Sequence, residues 1–539
     1  MRPFRVFSPL AGLSMIGFSP STTQTANRAA FRDADGAQAW LAAQPQADAA
    51  AMSSALIAQI EALNLLDLSP RERFKTLDVL RKAVFAAGTG GQPRYEGKPL
   101  PLDADEQAAL DAALRLWRAY AVGYRQCLQA CLDGDASLSR YVTRVAHRVS
   151  SCLRLEQLTG YAGGAAPRPG FWESFHTLFL AAEQIGCAAE MVEDRLSGET
   201  QASSVCGQYA MALMLHLAQP FSLSSGQLAV AARWLARWRE QARIDGLAVR
   251  NAKYSPILLD LAVDRPIHDG GGPARLPRWL SLGSVQRKIR QRLDALAAGE
   301  SPESLKLGGG LSAENCMALL ETLSSNLRRP APFLPAAADG LPGLAVGVGL
   351  SAIHRLLGGK GIEEVVLHSD FSTDDPPVRR EAKPHSEAER ERWRLARWEG
   401  KELALLRAPG KGSSRLALHG LLAIARQKQD YLLAVISGLW QNEDGILFCT
   451  ADLLPGGVTP RIAEIRNWMT GEVVCHPAFQ LSAQADGAQD MLLLPTGVLA
   501  RASGVRFFDC DGQLLFETRL ADCLERGDEV EFWRVASND

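Results

Sequence analysis

Residues 389–401 read ERERWRLARWEGK, with four arginines and two tryptophans in thirteen positions. Upstream of this stretch the chain reads as helix after helix. Downstream it reads as short apolar runs broken by turn residues. A helical reading of the stretch lines Arg390, Arg394 and Arg397 on one face, with Glu387, Glu389 and Glu391 each three residues before an arginine. An extended reading projects Arg390, Arg392 and Arg394 to one side and Glu389 and Glu391 to the other. Either geometry gathers guanidinium groups, whose planar fork suits phosphate oxygens. Trp393 and Trp398 would stack on a base or anchor the segment.

The chain has 539 residues, 47% hydrophobic and 22% charged, the make-up of an ordinary globular protein of several domains. A formal net charge of −2 provides no global attraction to nucleic acid or to an anionic membrane, so an anion site must come from local clustering. No apolar run reaches the roughly 20 residues of a membrane-spanning helix. Arg2 and Arg5 precede an apolar stretch, but Pro9 and Ser14 interrupt it and no clear A-x-A site follows. Residues 1–35 are therefore expected as a tail of a cytoplasmic protein. Ten cysteines without a CxxC read as reduced thiols; Cys127 and Cys131 share a helix face but lack further ligands for a metal.

Residues 36–335 are expected to form an α-helical scaffold. Ser69-Pro70-Arg71-Glu72 starts a helix, with Ser69 as cap, Pro70 in the first turn and Glu72 placed for a capping box. Phe74, Leu77, Leu80 and Val84 mark its apolar face. Leu110, Leu114, Trp117, Ala121, Tyr124 and Leu128 mark a longer helix, closed at Gly134. Further helices are predicted around 138–160, 171–186, 204–218, 225–241, 281–298 and 312–328, with 255–264 extended. FWESFHTLFLAAEQIG (171–186) loosely echoes a tetratricopeptide helix, but no recurrence of about 34 residues follows, so irregular TPR-like helical hairpins are expected. Residues 336–370 read as a short α/β connection, a strand and Gly-rich turn leading to a helix. Residues 371–400 read as a charged, arginine-rich linker or arm. From 401 to 539 close-spaced hairpins, two of them turning at Asp444-Gly445 and Asp511-Gly512, predict a small antiparallel β-barrel. The fold class is α+β.

The sequence holds no HExxH, GxSxG or Walker A motif. GVGLSAIH (347–354) has Ala352 where a dinucleotide fingerprint needs its third glycine, and reads as a tight strand-to-helix turn. Asp374 and Asp375 sit beside Pro376 and Pro377 and read as solvated. Nothing asks for an enzyme or a cofactor.

Arg390 and Arg394 in RERWR meet an R-x-x-x-R spacing ahead of a small barrel, and this resembles a PilZ domain, a bacterial receptor for cyclic di-GMP. The layout as a whole is similar to large proteobacterial proteins with a helical N-terminal region and a degenerate PilZ-like barrel. LNLLDLSPRERFKTLDVLR, FWESFHTLFLAAEQIG and the late LLLP (492–495) carry that likeness. The resemblance implies that Arg390 and Arg394 hold the phosphates and guanine edges of cyclic di-GMP. Arg397 and Lys411 would assist, and the turn Gly410, Lys411, Gly412, Ser413, Ser414 would offer backbone N–H groups and hydroxyls. The family's second motif, D/N-x-S-x-x-G, is poorly matched by RAPGKGSSRLAL (407–418), which has no leading Asp or Asn; HSDFSTDD (368–375) has the D-x-S form but lies before the arginine pair and lacks the glycine.

Two functional readings follow. One is a non-enzymatic bacterial signalling protein that binds cyclic di-GMP on its arm and barrel and couples this to a protein partner of the helical scaffold. The other is an interaction scaffold whose barrel no longer binds nucleotide. A third, an enzyme with an unfamiliar site between helices, requires titratable groups converging in a deep pocket.

Overall fold

The computed structural model describes residues 29–44, 49–194, 196, 202–248, 254–268, 270–328, 340–359, 390–410, 414–427, 430–467, 469, 473–482, 490–518, 520–527 and 529–535. The N-terminal tail to residue 28, the connector at 360–389 and Lys411, Gly412 and Ser413 lie outside the described residues.

The helical half begins with α1 (Ala34–Ala43), α2 (Ala49–Leu65), α3 (Pro70–Gly90) and α4 (Ala104–Leu132). Helix α3 starts where its sequence places it: the Ser69 hydroxyl accepts from the Glu72 N–H, and Pro70 sits in the first turn. Glu72 does not close a capping box. Its carboxylate accepts instead from the Ala34 N–H at 3.2 Å, tying α3 to the start of α1. The full box belongs to α4, between Asp103 and Glu106. All six marker residues of α4 and all four of α3 are buried. The two helices approach closely at Gly88, where an added Cβ would lie 2.3 Å from the Trp117 ring.

The scaffold continues through α5 (Val142–Ala162), α6 (Phe171–Ile185), α7 (Val205–Leu217) and α8 (Ser225–Trp238). Three short strands follow, β1 (Arg243–Asp245), β2 (Ile257–Asp260) and β3 (Pro277–Ser281), forming a small sheet of order β1-β3-β2. Helices α9 (Gly283–Ala297) and α10 (Ala313–Asn326) close this half, and all these elements share one hydrophobic core.

The C-terminal half contains a closed antiparallel barrel of order β4-β5-β6-β9-β8-β7, built from β4 (Gly343–Val348), β5 (Glu391–Glu399), β6 (Glu402–Arg407), β7 (Leu421–Gln427), β8 (Asp430–Gln441) and β9 (Leu447–Leu453). A helix, α11 (Leu350–Leu356), follows β4. The first two strands lie before residue 401, within the stretches that the sequence reads as a connection and an arm. Residues 391–399 qualify as a strand because their charges alternate with buried groups: Glu391 and Trp393 face in, Arg392 and Arg394 face out.

The hairpins after 457 do not add to this barrel. They form a separate seven-stranded sheet of order β14-β13-β10-β11-β12-β16-β15. Its strands are β10 (Val458–Asn467), β11 (Val473–Leu481), β12 (Met491–Pro495), β13 (Ala502–Phe508), β14 (Leu514–Thr518), β15 (Leu520–Arg526) and β16 (Val530–Val535). The expectation of one barrel over 401–539 is thus corrected to a barrel plus a sheet. The physical reason is the double burial of β7. Leu422 and Ile424 fill the barrel interior, while Leu421 and Ala423 pack outward on Phe479, Leu493 and Phe532. Gly445 and Gly512, both at positive φ, make the two expected turns.

The halves meet along a seam. Leu100, from the loop before α4, exchanges backbone hydrogen bonds of 2.7 and 2.8 Å with Leu416 and is buried in the barrel core. Gln441 bonds both Gly164 and Ala166 through its backbone. Phe221 stacks on Trp440 with ring centroids 5.2 Å apart, and Trp440 stacks in turn on Phe448. Arg415 donates to the Pro99 carbonyl and pairs with Glu106 and Asp103 at the start of α4.

Candidate functional site

The strand β5 sorts the residues of the charged stretch by parity. Glu391, which a helix would pair with Arg394 three residues on, instead turns into the barrel. There it accepts from the Arg407 guanidinium at 3.0 Å and from the Trp393 indole N–H at 2.9 Å. Arg407 lies over the Trp393 ring, 5.6 Å from its centroid, and donates to the Ser414 carbonyl at 2.9 Å. Its side chain is 3% exposed and that of Glu391 6%, so the pair is interior. Beside it, burial pushes the Cys449 thiol up to about 12 against the opposing pull of Arg407, so that thiol is no nucleophile at neutral pH.

With Glu391 engaged inside, the outer face is left cationic. Arg390 is exposed at the start of β5, with its guanidinium 5.6 Å from the centroid of the Tyr431 ring. Arg392 and Arg394 are exposed on the strand. Arg394 donates to the Leu341 carbonyl at 3.0 Å. None of the three pairs with a carboxylate among the described residues. Glu387 and Glu389 lie outside those residues.

The described ends of the predicted turn, Gly410 and Ser414, lie at the same end of the barrel. Strand β6 runs antiparallel to β5 with Leu406 opposite Arg394, so the chain leaves β6 beside Arg390 and Arg392. Gly410 is exposed at φ +67°, a conformation for which glycine is suited. Ser414 is half-buried and held by Arg407. Arg397 is set apart from this group. It follows an irregularity in the β5–β6 register, pairs opposite Ala404, and its Nε is buried without a hydrogen-bond partner. The sequence reading omits Arg407, which links Glu391 to the turn. The signal was present, since Arg407 ends the apolar run ELALLR and must either point inward or cap the strand. Tyr431 was omitted as well; its apolar surroundings on β8 give no local hint of a cation above it.

Among the described residues no group of three or more His, Cys, Asp or Glu is placed to hold a metal, and no helix is long and apolar enough to cross a membrane.

Comparison with known proteins bears on the other half of the chain. No curated protein and no solved structure matches it. Residues 35–249, less than half of the chain, match the family model described as "Cyclic-di-GMP receptor FimW, N-terminal domain". The region from α1 to β1 is therefore similar to the N-terminal domain of a cyclic-di-GMP receptor, and it is followed by a closed six-stranded barrel.

Proposed function

We propose that the chain is a non-enzymatic, cytoplasmic signalling protein that binds cyclic di-GMP on the outer face of a PilZ-like barrel. The observation that carries this reading is the sequestration of Glu391 by Arg407, which leaves Arg390, Arg392 and Arg394 exposed without carboxylate partners among the described residues. Guanidinium groups so placed are available to phosphate, where each charge-assisted bond contributes roughly 1.5–3 kcal/mol. Arg390 and Arg394 are the principal clamps. Gly410 and Ser414 lie at the same end, Lys411, Gly412 and Ser413 between them are assigned to the ligand with the rest of the predicted turn, and Arg397 contributes charge only. The family match of the helical half supports the ligand class.

Ligand binding would reach the scaffold through the chain of contacts from Glu391 to Arg407, Ser414 and Arg415, and from there to Glu106 and Asp103. A protein partner of the helical half would read that change by its differential affinity for the two states.

One contact favours the second reading, a scaffold that has lost nucleotide binding: Arg394 already donates to Leu341. Isothermal titration of the full chain with cyclic di-GMP decides between them. The expected result is saturable binding that Arg390→Ala/Arg394→Ala weakens at least tenfold, about 1.4 kcal/mol. Absence of binding, or equal binding by both proteins, overturns the barrel site.

A further inference from the structure

The sheet after residue 457 repeats the connectivity of the barrel before it. Counted in chain order from one to six, the barrel strands follow one another around the ring as one-two-three-six-five-four. In the later sheet the two edges, β14 and β15, stand a single residue apart in the chain. Counted together as a fifth strand, they give the same order, one-two-three-six-five-four, with every neighbour antiparallel. The fifth strand also changes partner in the same way in both. In β8, residues 430–435 pair with β7 and residues 434–441 with β9, with an irregularity in register between Ile436 and Gly438. In the later copy β14 pairs with β13 and β15 with β16, again the fourth and the sixth strand. The C-terminal half is thus one barrel topology used twice. The copies meet head to tail: Leu421 and Leu433, on the fourth and fifth strands of the first, pack with Phe479, Leu493 and Phe532, on the second, third and sixth strands of the other. A heterologous contact of this kind leaves one face of each type unused. The second-strand face that Phe479 buries in the later copy is open in the first, where β5 carries Arg392 and Arg394.

Tyr431 joins that charged face to the second copy. It is 9% exposed and belongs to the cluster that the two copies share, and the Arg390 guanidinium lies 5.6 Å from the centroid of its ring. Arg390 itself is exposed at the start of β5. A long exposed side chain must be ordered when it binds an anion, and that ordering opposes binding. An aromatic face held firmly in a packed cluster restrains a guanidinium by cation–π attraction and leaves its N–H donors free for phosphate. We propose that Tyr431 is a positioning residue for Arg390, and that the second barrel, through the shared cluster, holds the ring in place. The effect on affinity rests on the barrel site for cyclic di-GMP proposed above; the placement of Arg390 does not.

The test follows the Arg390 Nε–H signal of the full chain by nuclear magnetic resonance, assigned by its loss in Arg390→Lys. Cyclic di-GMP is titrated calorimetrically into the same proteins. Tyr431→Phe keeps the ring, Tyr431→Leu removes it, and Phe479→Leu alters the shared cluster from the side of the second copy. The expected result is an Arg390 signal displaced by the ring in the wild type and in Tyr431→Phe. It should return to the position of free arginine in Tyr431→Leu and move toward it in Phe479→Leu. Affinity should hold in Tyr431→Phe and fall about threefold or more in Tyr431→Leu, the scale of an exposed cation–π contact. A wild-type signal at the position of free arginine, or one that Tyr431→Leu leaves unmoved, overturns the contact. An unmoved signal in Phe479→Leu overturns the role of the second barrel. Equal affinity of the wild type and Tyr431→Leu overturns the role of Tyr431 in binding. If Tyr431→Leu does not fold, Phe479→Leu decides by the same signal. A wild type with a displaced signal and no binding of cyclic di-GMP keeps this placement of Arg390 and loses the receptor reading.

Discussion

Replacing Glu391 by Gln tests whether the interior ion pair organises the barrel. The substitution keeps the shape and the acceptor for the Trp393 indole but removes the charge that faces Arg407. That guanidinium would stay 3% exposed with the Ser414 carbonyl and the Trp393 ring as its remaining neighbours, and its Nη2 already lacks a hydrogen-bond partner. Removing one member of a buried pair costs about 3–5 kcal/mol, because the other charge is left uncompensated. At about 1.4 kcal/mol per decade this is two to three and a half orders of magnitude in an opening equilibrium. A chain with a helical half, a barrel and a further sheet has no single unfolding transition, so the measurement must be local. Native-state hydrogen exchange of the β5 and β6 amides reports the opening of this part of the barrel. Glu391→Gln is expected to raise exchange there by about that factor and to leave α4 unaffected. The double replacement Glu391→Leu/Arg407→Met removes both charges and is expected to restore most of the protection. If Glu391→Gln costs less than about 1 kcal/mol, or the double variant is as damaged as the single, the pair is not what holds this wall closed.

Other expectations concern the helical half and the seam. Gly88→Ala places a methyl 2.3 Å from the Trp117 ring, and this overpacking, about 1–3 kcal/mol, outweighs the gain of up to about 1 kcal/mol in helix propensity; slower native-state exchange of the α3 and α4 amides would contradict the reasoning. Leu100→Ala empties a position in the barrel core filled from the other half, so native-state exchange at the Leu416 amide should quicken by the equivalent of about 2–5 kcal/mol. His147 and His216 are held down to about 3 and about 4, each chiefly by burial. A histidine pKa depressed by folding contributes stability that is complete above the ordinary value near 6.5 and is lost as pH falls toward the folded value. Stability should therefore drop between pH 6 and pH 4 by up to about 1.4 kcal/mol per pH unit for each histidine, and His216→Gln should flatten that slope. An unchanged slope in that variant would show that His216 titrates normally.

The parts of the fold that were legible in the sequence rest on short-range pattern. The spacing of Phe74, Leu77, Leu80 and Val84, and of Leu110 through Leu128, names buried faces because helix geometry alone puts those residues together. The extended option for residues 389–401 likewise foresaw that Glu391 would oppose Arg392 and Arg394. What local pattern does not carry is the destination of each face. Strand β4 closes the barrel against β5 and β7, which are distant in the chain, and no spacing rule brings Gly343 opposite Arg394. The outward packing of Leu421 and Ala423 on the later sheet is a tertiary fact of the same kind. Charge behaves similarly. A run such as 389–397 announces itself by density, and Arg390, Arg392 and Arg394 do reach the surface. Arg407, Arg81, Arg148 and Arg154 belong to no arginine-dense run in sequence, and only folding brings the last three into the lining of one pocket. Solvated charge is visible as composition, whereas buried charge is visible only through its partners. Of the two arginine clusters, the one that sequence pattern could not disclose is the buried one, whose guanidinium groups find their partners on separate elements of the fold.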